Sequence, residues 1–170
     1  MAKHQSQRDN QTEIASALMP ILETDADRKR QAFVANRLMG ISTMGTILEE
    51  TDQFESIDYF GFVNGEKRFG FEIKCRTESF EQVASYPEGL LVKPHTLNAC
   101  RGFAKDLNIR VFMIFAFDSG LGAIFQAEPA NIEDLPEFPQ KPRRNPRGNF
   151  ISDIEPVSYL DWNKHLTRIA

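Results

Sequence analysis

The chain has 170 residues, of which 41% are hydrophobic and 26% are charged, and its formal net charge is −4 at pH 7. This length suits one domain with a sizeable core, and the charge excludes a protein that is basic over its whole surface. Two cysteines are too few for a disulfide framework, so we expect free thiols and a cytoplasmic location. No stretch reaches the roughly 18 apolar residues of a membrane span, and we expect no membrane partner.

The first half of the chain predicts two helices, a β-hairpin and a helical turn, in that order. The helices cover about 12–22 and 25–40, and the turn covers 80–86. The hairpin consists of an extended segment at 46–63, broken near 51–53, and a strand at 67–76. Asn64-Gly65 lies between the two strands, and this dipeptide is a strong indicator of a hairpin.

The second half predicts a short strand, a helix and two longer strands. These elements cover 90–92, 97–107 with Thr96 as the N-cap, 110–117 and 121–127. The strand at 110–117 is the most apolar run, so we expect it at the centre of the sheet, with 121–127 as an antiparallel edge strand. The element order predicts an α/β fold in which helices flank a mixed β-sheet.

The composition divides the chain into three segments of one domain. Residues 1–25 form a polar segment and a helix, and residues 26–128 form the α/β core. Residues 129–170 begin with a proline-rich basic loop, for which we expect no regular structure, and end with a strand packed on the core.

The strand at 67–76 has a charged face. Its core-facing set is Phe69, Phe71, Ile73 and Cys75, and its other face carries Glu72, Lys74 and Arg76. Such alternation is typical of a strand with one solvated face. The alternative interpretation is a metal site with an adjacent lysine.

Asp58, in the preceding strand, provides a second carboxylate for such a site. Two carboxylates and the Ile73 carbonyl are the hard oxygen ligands that Mg²⁺ or Mn²⁺ prefers, and Mg²⁺ keeps several of its waters. Lys74 leaves the strand on the same face as Glu72, so it can orient or deprotonate a water or stabilise charge on phosphorus. These residues indicate metal-assisted phosphodiester hydrolysis.

Residues 26–128 resemble the PD-(D/E)xK nuclease superfamily. The resemblance lies in IDYFGFVNGEKRFGFEIKCR, followed by LLVKPHTLNACRGFAKDLNIRVFMIFAF. It implies a restriction-endonuclease-like fold and a metal-dependent DNA endonuclease, similar to small phage nucleases and Holliday junction resolvases. Asp58, Glu72 and Lys74 would be its catalytic residues. Many such nucleases act as homodimers.

The chain departs from the superfamily pattern at two places. Ile57 stands where proline commonly precedes the first acid, and residues 28–39 contain no glutamate where many members carry one on the first helix. Glu13, Glu23, Glu49 or Glu50 would have to take its place, so we expect one metal ion rather than two. The missing glutamate and the net charge of −4 also favour an alternative. In it, a non-catalytic nuclease-fold protein, such as a phage factor, binds a host protein or nucleic acid.

Four further cations are candidates for binding the DNA backbone. They are Arg76, Lys93, Arg143 and Arg144. Arg76 and Lys93 follow the charged strand and the short strand, whereas the other two belong to the proline-rich loop. Each has an alternative interpretation as a surface charge that contributes to solubility.

The metal site requires a particular hairpin register. In a regular ladder, a two-residue turn at Asn64-Gly65 puts the carboxylates of Asp58 and Glu72 on opposite faces of the sheet. We therefore predict a three-residue loop, with Asp58 facing Gly70, or a β-bulge between residues 55 and 72. Either would bring the two carboxylates within about 5 Å of each other.

Overall fold

The structure is a computed structural model that describes residues 25–41, 46–51, 57–140 and 155–170. The helices are α1 (Asp25–Ile41), α2 (Phe80–Ala84) and α3 (Pro94–Leu107). The strands are β1 (Ile47–Glu50), β2 (Tyr59–Val63), β3 (Glu66–Cys75), β4 (Leu90–Val92), β5 (Arg110–Ala116), β6 (Ile124–Ala127), β7 (Phe138–Gln140), β8 (Glu155–Leu160) and β9 (Thr167–Arg168). The helix predicted at 12–22 lies outside the described residues.

Six strands form the main sheet in the order β1-β2-β3-β5-β6-β9. β3 and β5 are parallel, and the other neighbouring pairs are antiparallel. The prediction of an α/β fold with a mixed sheet flanked by helices is therefore confirmed. No helix in the described part of the chain is long and apolar enough to cross a membrane.

Both faces of the main sheet are covered. On one face α1 packs through Val34 and Leu38 against strand residues such as Ile114. On the other face α3 packs through Leu97 and Cys100 in a separate cluster. β5 is buried at every position from 111 to 116 because it lies under both helices, which explains its continuous apolar sequence.

A second sheet has three strands in the order β4-β8-β7. The expectation that the proline-rich segment lacks regular structure is wrong at residues 138–140, where β7 pairs with β8. The expectation that 121–127 is an edge strand is also wrong, because β9 pairs with the outer side of β6. These pairings join residues too distant in the sequence for a local pattern to reveal them.

The N-cap of α3 differs from the prediction. Lys93 is the cap and the helix begins at Pro94, so Thr96 lies within the first turn. Proline is favoured at the first helical position because it has no N–H to leave unsatisfied there and its φ suits a helix.

The β2–β3 hairpin combines a two-residue turn with a β-bulge. Asn64 and Gly65 have φ values of 51° and 79°, and both lie in the left-handed region that such a turn requires. Val63 pairs with Glu66 and Phe62 with Lys67, but Gly61 pairs with Phe69, so Arg68 is the extra residue. The predicted bulge is confirmed.

The three-residue loop, and with it the pairing of Asp58 with Gly70, is wrong. Gly70 pairs with Phe60, and the ladder ends at the pair of Tyr59 with Phe71. Asp58 directly precedes this pair, and its N–H donates to the Phe71 carbonyl. The extra residue lies within the strand rather than in the turn, because Asn64-Gly65 already forms a complete turn that matches the strand twist.

Candidate active site

Asp58 directly precedes β2, and it makes two hydrogen bonds with β3. Its backbone N–H donates to the Phe71 carbonyl at 2.9 Å, and its Oδ2 accepts from the Ile73 N–H at 2.6 Å. The carboxylate thereby satisfies a backbone donor on the stretch of β3 that extends beyond β2. This bond holds the Asp58 side chain beside the backbone that carries Glu72.

Residues 57 and 58 are also held by Thr51, which follows β1, and by the core. The Thr51 N–H donates to the Asp58 carbonyl at 2.9 Å. The Ile57 side chain is 0% exposed and packs beside Gly70, where an added Cβ would lie 2.9 Å from Ile57 Cδ1. The glycine therefore leaves room for the apolar residue that precedes the acid.

Glu72 is buried, with 7% of its surface exposed, and its Oε1 lies 2.5 Å from Lys74 Nζ. The pKa of the Cys100 thiol on α3 is raised to about 12, mainly by burial and next by the negative charge of Glu72. The interpretation of this strand face as fully solvated is therefore wrong at Glu72. Burial of a carboxylate is unfavourable unless it is paired, and Lys74 provides the partner.

The two carboxylates of Glu72 and Asp58 influence the pKa of Lys74. Burial lowers the pKa of Lys74, but the ion pair and hydrogen bond with Glu72 and the charge of Asp58 raise it by more. The pKa of Lys74 therefore lies above its ordinary value of 10.5, and the side chain is an ammonium at neutral pH. An ammonium can stabilise negative charge or orient a water, but it cannot accept a proton.

Gln31 of α1 is a polar contact of the site that sequence reasoning missed. Its Nε2 donates to the Ile73 carbonyl at 3.5 Å, the long limit for a hydrogen bond. A signal was present, because Gln31, Val34 and Leu38 share the helix face that packs on the sheet. Because the other residues of that face are apolar, a glutamine among them indicates a polar contact beneath the helix.

Three oxygen donors belong to adjacent or hydrogen-bonded residues at this end of β3. They are the carboxylates of Asp58 and Glu72 and the carbonyl of Ile73. The described residues contain no group of three or more His, Cys, Asp or Glu side chains that could hold a metal ion. Two carboxylates and a carbonyl nevertheless fit the chemistry of Mg²⁺ or Mn²⁺, since Mg²⁺ keeps waters in its remaining positions. The spacing of about 5 Å between the carboxylates stays a prediction.

Arg76 directly follows β3, and Lys93 directly follows β4. Arg76 Nη2 donates to the Leu91 carbonyl of β4 at 3.2 Å, and Lys93 follows β4 as the N-cap of α3. Arg143 and Arg144 lie outside the described residues. The structure thus brings Asp58, Glu72, Ile73 and Lys74 together, and Arg76 follows Lys74 by two residues, just past the end of β3.

No family model matches the chain, and none of the curated proteins matches it. Among solved structures, the chain is similar to Hjc, a Holliday junction resolvase from the archaeal hyperthermophile Archaeoglobus fulgidus. The TM-score is 0.45 and the sequence identity 14%, over 64% of this chain and 79% of that one. Similarity of this extent leaves the function to be argued from the residues of the site.

Proposed function

We propose that this protein is a metal-dependent endonuclease of the PD-(D/E)xK type that hydrolyses phosphodiester bonds of DNA. The observation that carries the proposal is the bulged hairpin. It puts the Asp58 carboxylate on the N–H of Ile73, the residue that follows Glu72, and Glu72 in turn binds Lys74. Two acids and a lysine at one end of β3 can hold a divalent ion and stabilise the charge that develops during this hydrolysis.

Asp58, Glu72 and the Ile73 carbonyl would hold Mg²⁺ or Mn²⁺. A divalent ion supplies Lewis-acid stabilisation of the charge that develops on the phosphoryl oxygens. The ammonium of Lys74 orients the attacking water or donates to a phosphoryl oxygen, and Glu72 positions it. Gln31 supports the site from α1 by holding the Ile73 carbonyl.

The proposed DNA contacts are the cations around this centre. Arg76 follows Lys74 by two residues and contacts β4, Lys93 follows β4, and Arg143 and Arg144 add positive charge further along the sequence. A chain with a net charge of −4 must concentrate its cations locally to bind a polyanion. Reversal of the charges at Arg143 and Arg144 should weaken DNA binding and flatten its salt dependence, whereas an unchanged slope would assign them to solubility.

A plasmid-nicking assay with Mg²⁺ or Mn²⁺ tests the activity. We expect Lys74→Ala to reduce the rate by about 10²-fold or more while its circular dichroism and Mn²⁺ affinity remain those of the parent. The matched control is Lys105→Ala, because Lys105 is an exposed lysine in the last turn of α3. Equal nicking by the parent and Lys74→Ala would contradict the proposal.

The second candidate function is a non-catalytic nuclease-fold protein that binds nucleic acid or a host protein. It is favoured by the Glu72–Lys74 pair, which satisfies the buried carboxylate without a metal ion. Mn²⁺ titration of the parent and of Glu72→Gln separates the two functions. Metal binding that disappears in Glu72→Gln supports the nuclease, and its absence in the parent supports the second candidate.

A further inference from the structure

The side-chain amide of Gln31 lies beside the backbone carbonyl that the candidate metal site would use. Its Nε2 is 3.5 Å from the Ile73 carbonyl oxygen. Gln31 is half-buried and shares a face of α1 with Val34 and Leu38, which are buried against the main sheet. The side chain is therefore directed at the sheet, toward the part of β3 that extends beyond β2.

The carboxylate of Asp58 lies on the same edge of β3 as the Gln31 amide. The N–H and C=O groups of one strand residue point to the same side of the strand. The Ile73 N–H donates to Asp58 Oδ2 at 2.6 Å, and the Ile73 carbonyl accepts from Gln31. The backbone of Ile73 thus brings together a carboxylate from the residue before β2 and an amide from α1.

The carboxylate on the same part of α1 is already paired. Asp27 lies one turn before Gln31, and its Oδ1 is 3.2 Å from Arg30 Nη1. Burial raises the pKa of the Cys75 thiol to about 11, and the charges of Arg30 and Asp27 act on the same thiol, so this part of α1 lies close to the end of β3. Gln31 therefore supplies a side-chain oxygen that can approach a cation at the Ile73 carbonyl without the loss of an ion pair.

The tip of a glutamine carries both an oxygen and a nitrogen, and rotation about its last bond exchanges them with little change of shape. A cation held by the Ile73 carbonyl repels the N–H groups of this amide and attracts its oxygen. We infer that Gln31 binds the divalent ion through Oε1, as a neutral ligand beside the carboxylates of Asp58 and Glu72 and the Ile73 carbonyl. Amide oxygens are suitable ligands for hard cations. The inference rests on the proposed function and adds a residue to its metal site.

Titration with Mn²⁺ in the absence of DNA, followed by the electron paramagnetic resonance signal of the free ion, tests the inference. Gln31→Glu should bind Mn²⁺ about 10-fold or more tightly than the parent, because it adds a third negative charge to the ligands. Gln31→Leu should bind it about 10-fold or more weakly, because an oxygen is lost. A merely structural role predicts weaker binding by both variants, since a glutamate would repel the Ile73 carbonyl that Gln31 contacts.

Two controls locate the effect at the candidate site. Asn36→Asp and Asn36→Leu make matched changes at an exposed amide on the same helix, and they should alter the affinity by less than about 2-fold because charge on an exposed face is screened by salt. Glu72→Gln should remove most of the gain of Gln31→Glu when the two are combined, since both residues then act on one ion. Unchanged Trp162 emission confirms that each variant is folded.

Two patterns of affinity would overturn the inference while the parent still binds Mn²⁺. They are equal affinities of the parent and the two Gln31 variants, and weaker binding by both variants. Nicking by the parent together with either pattern refutes the role of Gln31 alone. Tighter binding by Gln31→Glu and weaker binding by Gln31→Leu, without nicking by the parent, refutes the nuclease and retains Gln31 as a ligand. Absence of Mn²⁺ binding in both the parent and Gln31→Glu would overturn the metal site and the inference together.

Discussion

The ion pair between Glu72 and Lys74 is unequally exposed, so removal of its two members should have unequal effects on stability. The side chain of Glu72 is 9% exposed and that of Lys74 is 41% exposed. Lys74→Met keeps the apolar stem but leaves a buried carboxylate without its cation. Glu72→Gln keeps the shape of the buried side chain and leaves an ammonium that can turn toward water.

Because one side chain of the pair is buried and the other is partly exposed, the expected losses of stability lie between those of fully buried and fully exposed pairs. Removal of one partner from a fully buried pair costs about 3–5 kcal/mol, whereas exposed pairs contribute about 0–1 kcal/mol. With only the acid buried, we expect Lys74→Met to lower the free energy of unfolding by about 2 kcal/mol and Glu72→Gln by about 1 kcal/mol or less. The double variant should match Glu72→Gln within about 0.5 kcal/mol, since no charge is then left unpaired.

Urea unfolding at pH 7 in EDTA, followed by Trp162 fluorescence, measures these differences. Trp162 is a suitable reporter because its ring lies 5.4 Å from those of Phe80 and Phe125 in the core. Lys105→Met controls for the loss of an exposed lysine, and Mn²⁺ should restore stability to Lys74→Met but not to Glu72→Gln. Equal effects of the two single variants, or a larger effect of Glu72→Gln, would refute this account of the buried carboxylate.

Two further predictions concern the frame around the site. Gly89→Ala should lower the free energy of unfolding by about 2 kcal/mol or more. The φ of Gly89 is +99°, and an added Cβ would lie 2.3 Å from the Leu160 carbonyl oxygen. A thermal melt of the variant that matches that of the parent would contradict this prediction. Glu128→Gln should cost about 1 kcal/mol at pH 7, because Arg110 donates two hydrogen bonds to this carboxylate. These bonds hold the pKa of Glu128 below its ordinary value of 4.5. The stabilisation by the Arg110–Glu128 pair is therefore complete above pH 4.5 and is lost as the pH falls through the lower pKa of the folded state. If Glu128→Gln lowered the stability equally at every pH, this role of the pair would be refuted.

The hairpin illustrates how far the sequence predicts the site. Asn64-Gly65 determines the turn, and the requirement that Asp58 and Glu72 share a face determines that one strand contains an extra residue. Its position at Arg68 does not follow from the pattern. It depends on tertiary packing, in which Phe69 and Phe71 lie 6.1 and 5.9 Å from the Phe112 ring of β5.

Other features depend on contacts between distant segments. The strand predicted at 90–92 is present as β4, but its pairing with β8, far away in the sequence, could not be predicted from a local pattern. β7 has three residues, too few for a periodic signal, and it also depends on β8. Gln31 is a similar case, since its role depends on which strand end α1 covers. The burial of Glu72 follows from the position of α3 over β3, so alternation along the strand could not distinguish it from a solvated acid.

The hydrogen bonds of residues 155–170 limit where the chain can be cut. β8 lies between β4 and β7, and β9 covers the outer side of β6. A chain that stopped after Glu128 would keep Asp58, Glu72 and Lys74 but would expose the backbone of β4 and β6. Bare strand edges pair with other copies, so such a fragment should aggregate rather than fold as a smaller domain. The folding unit extends well beyond the segment that carries the candidate site.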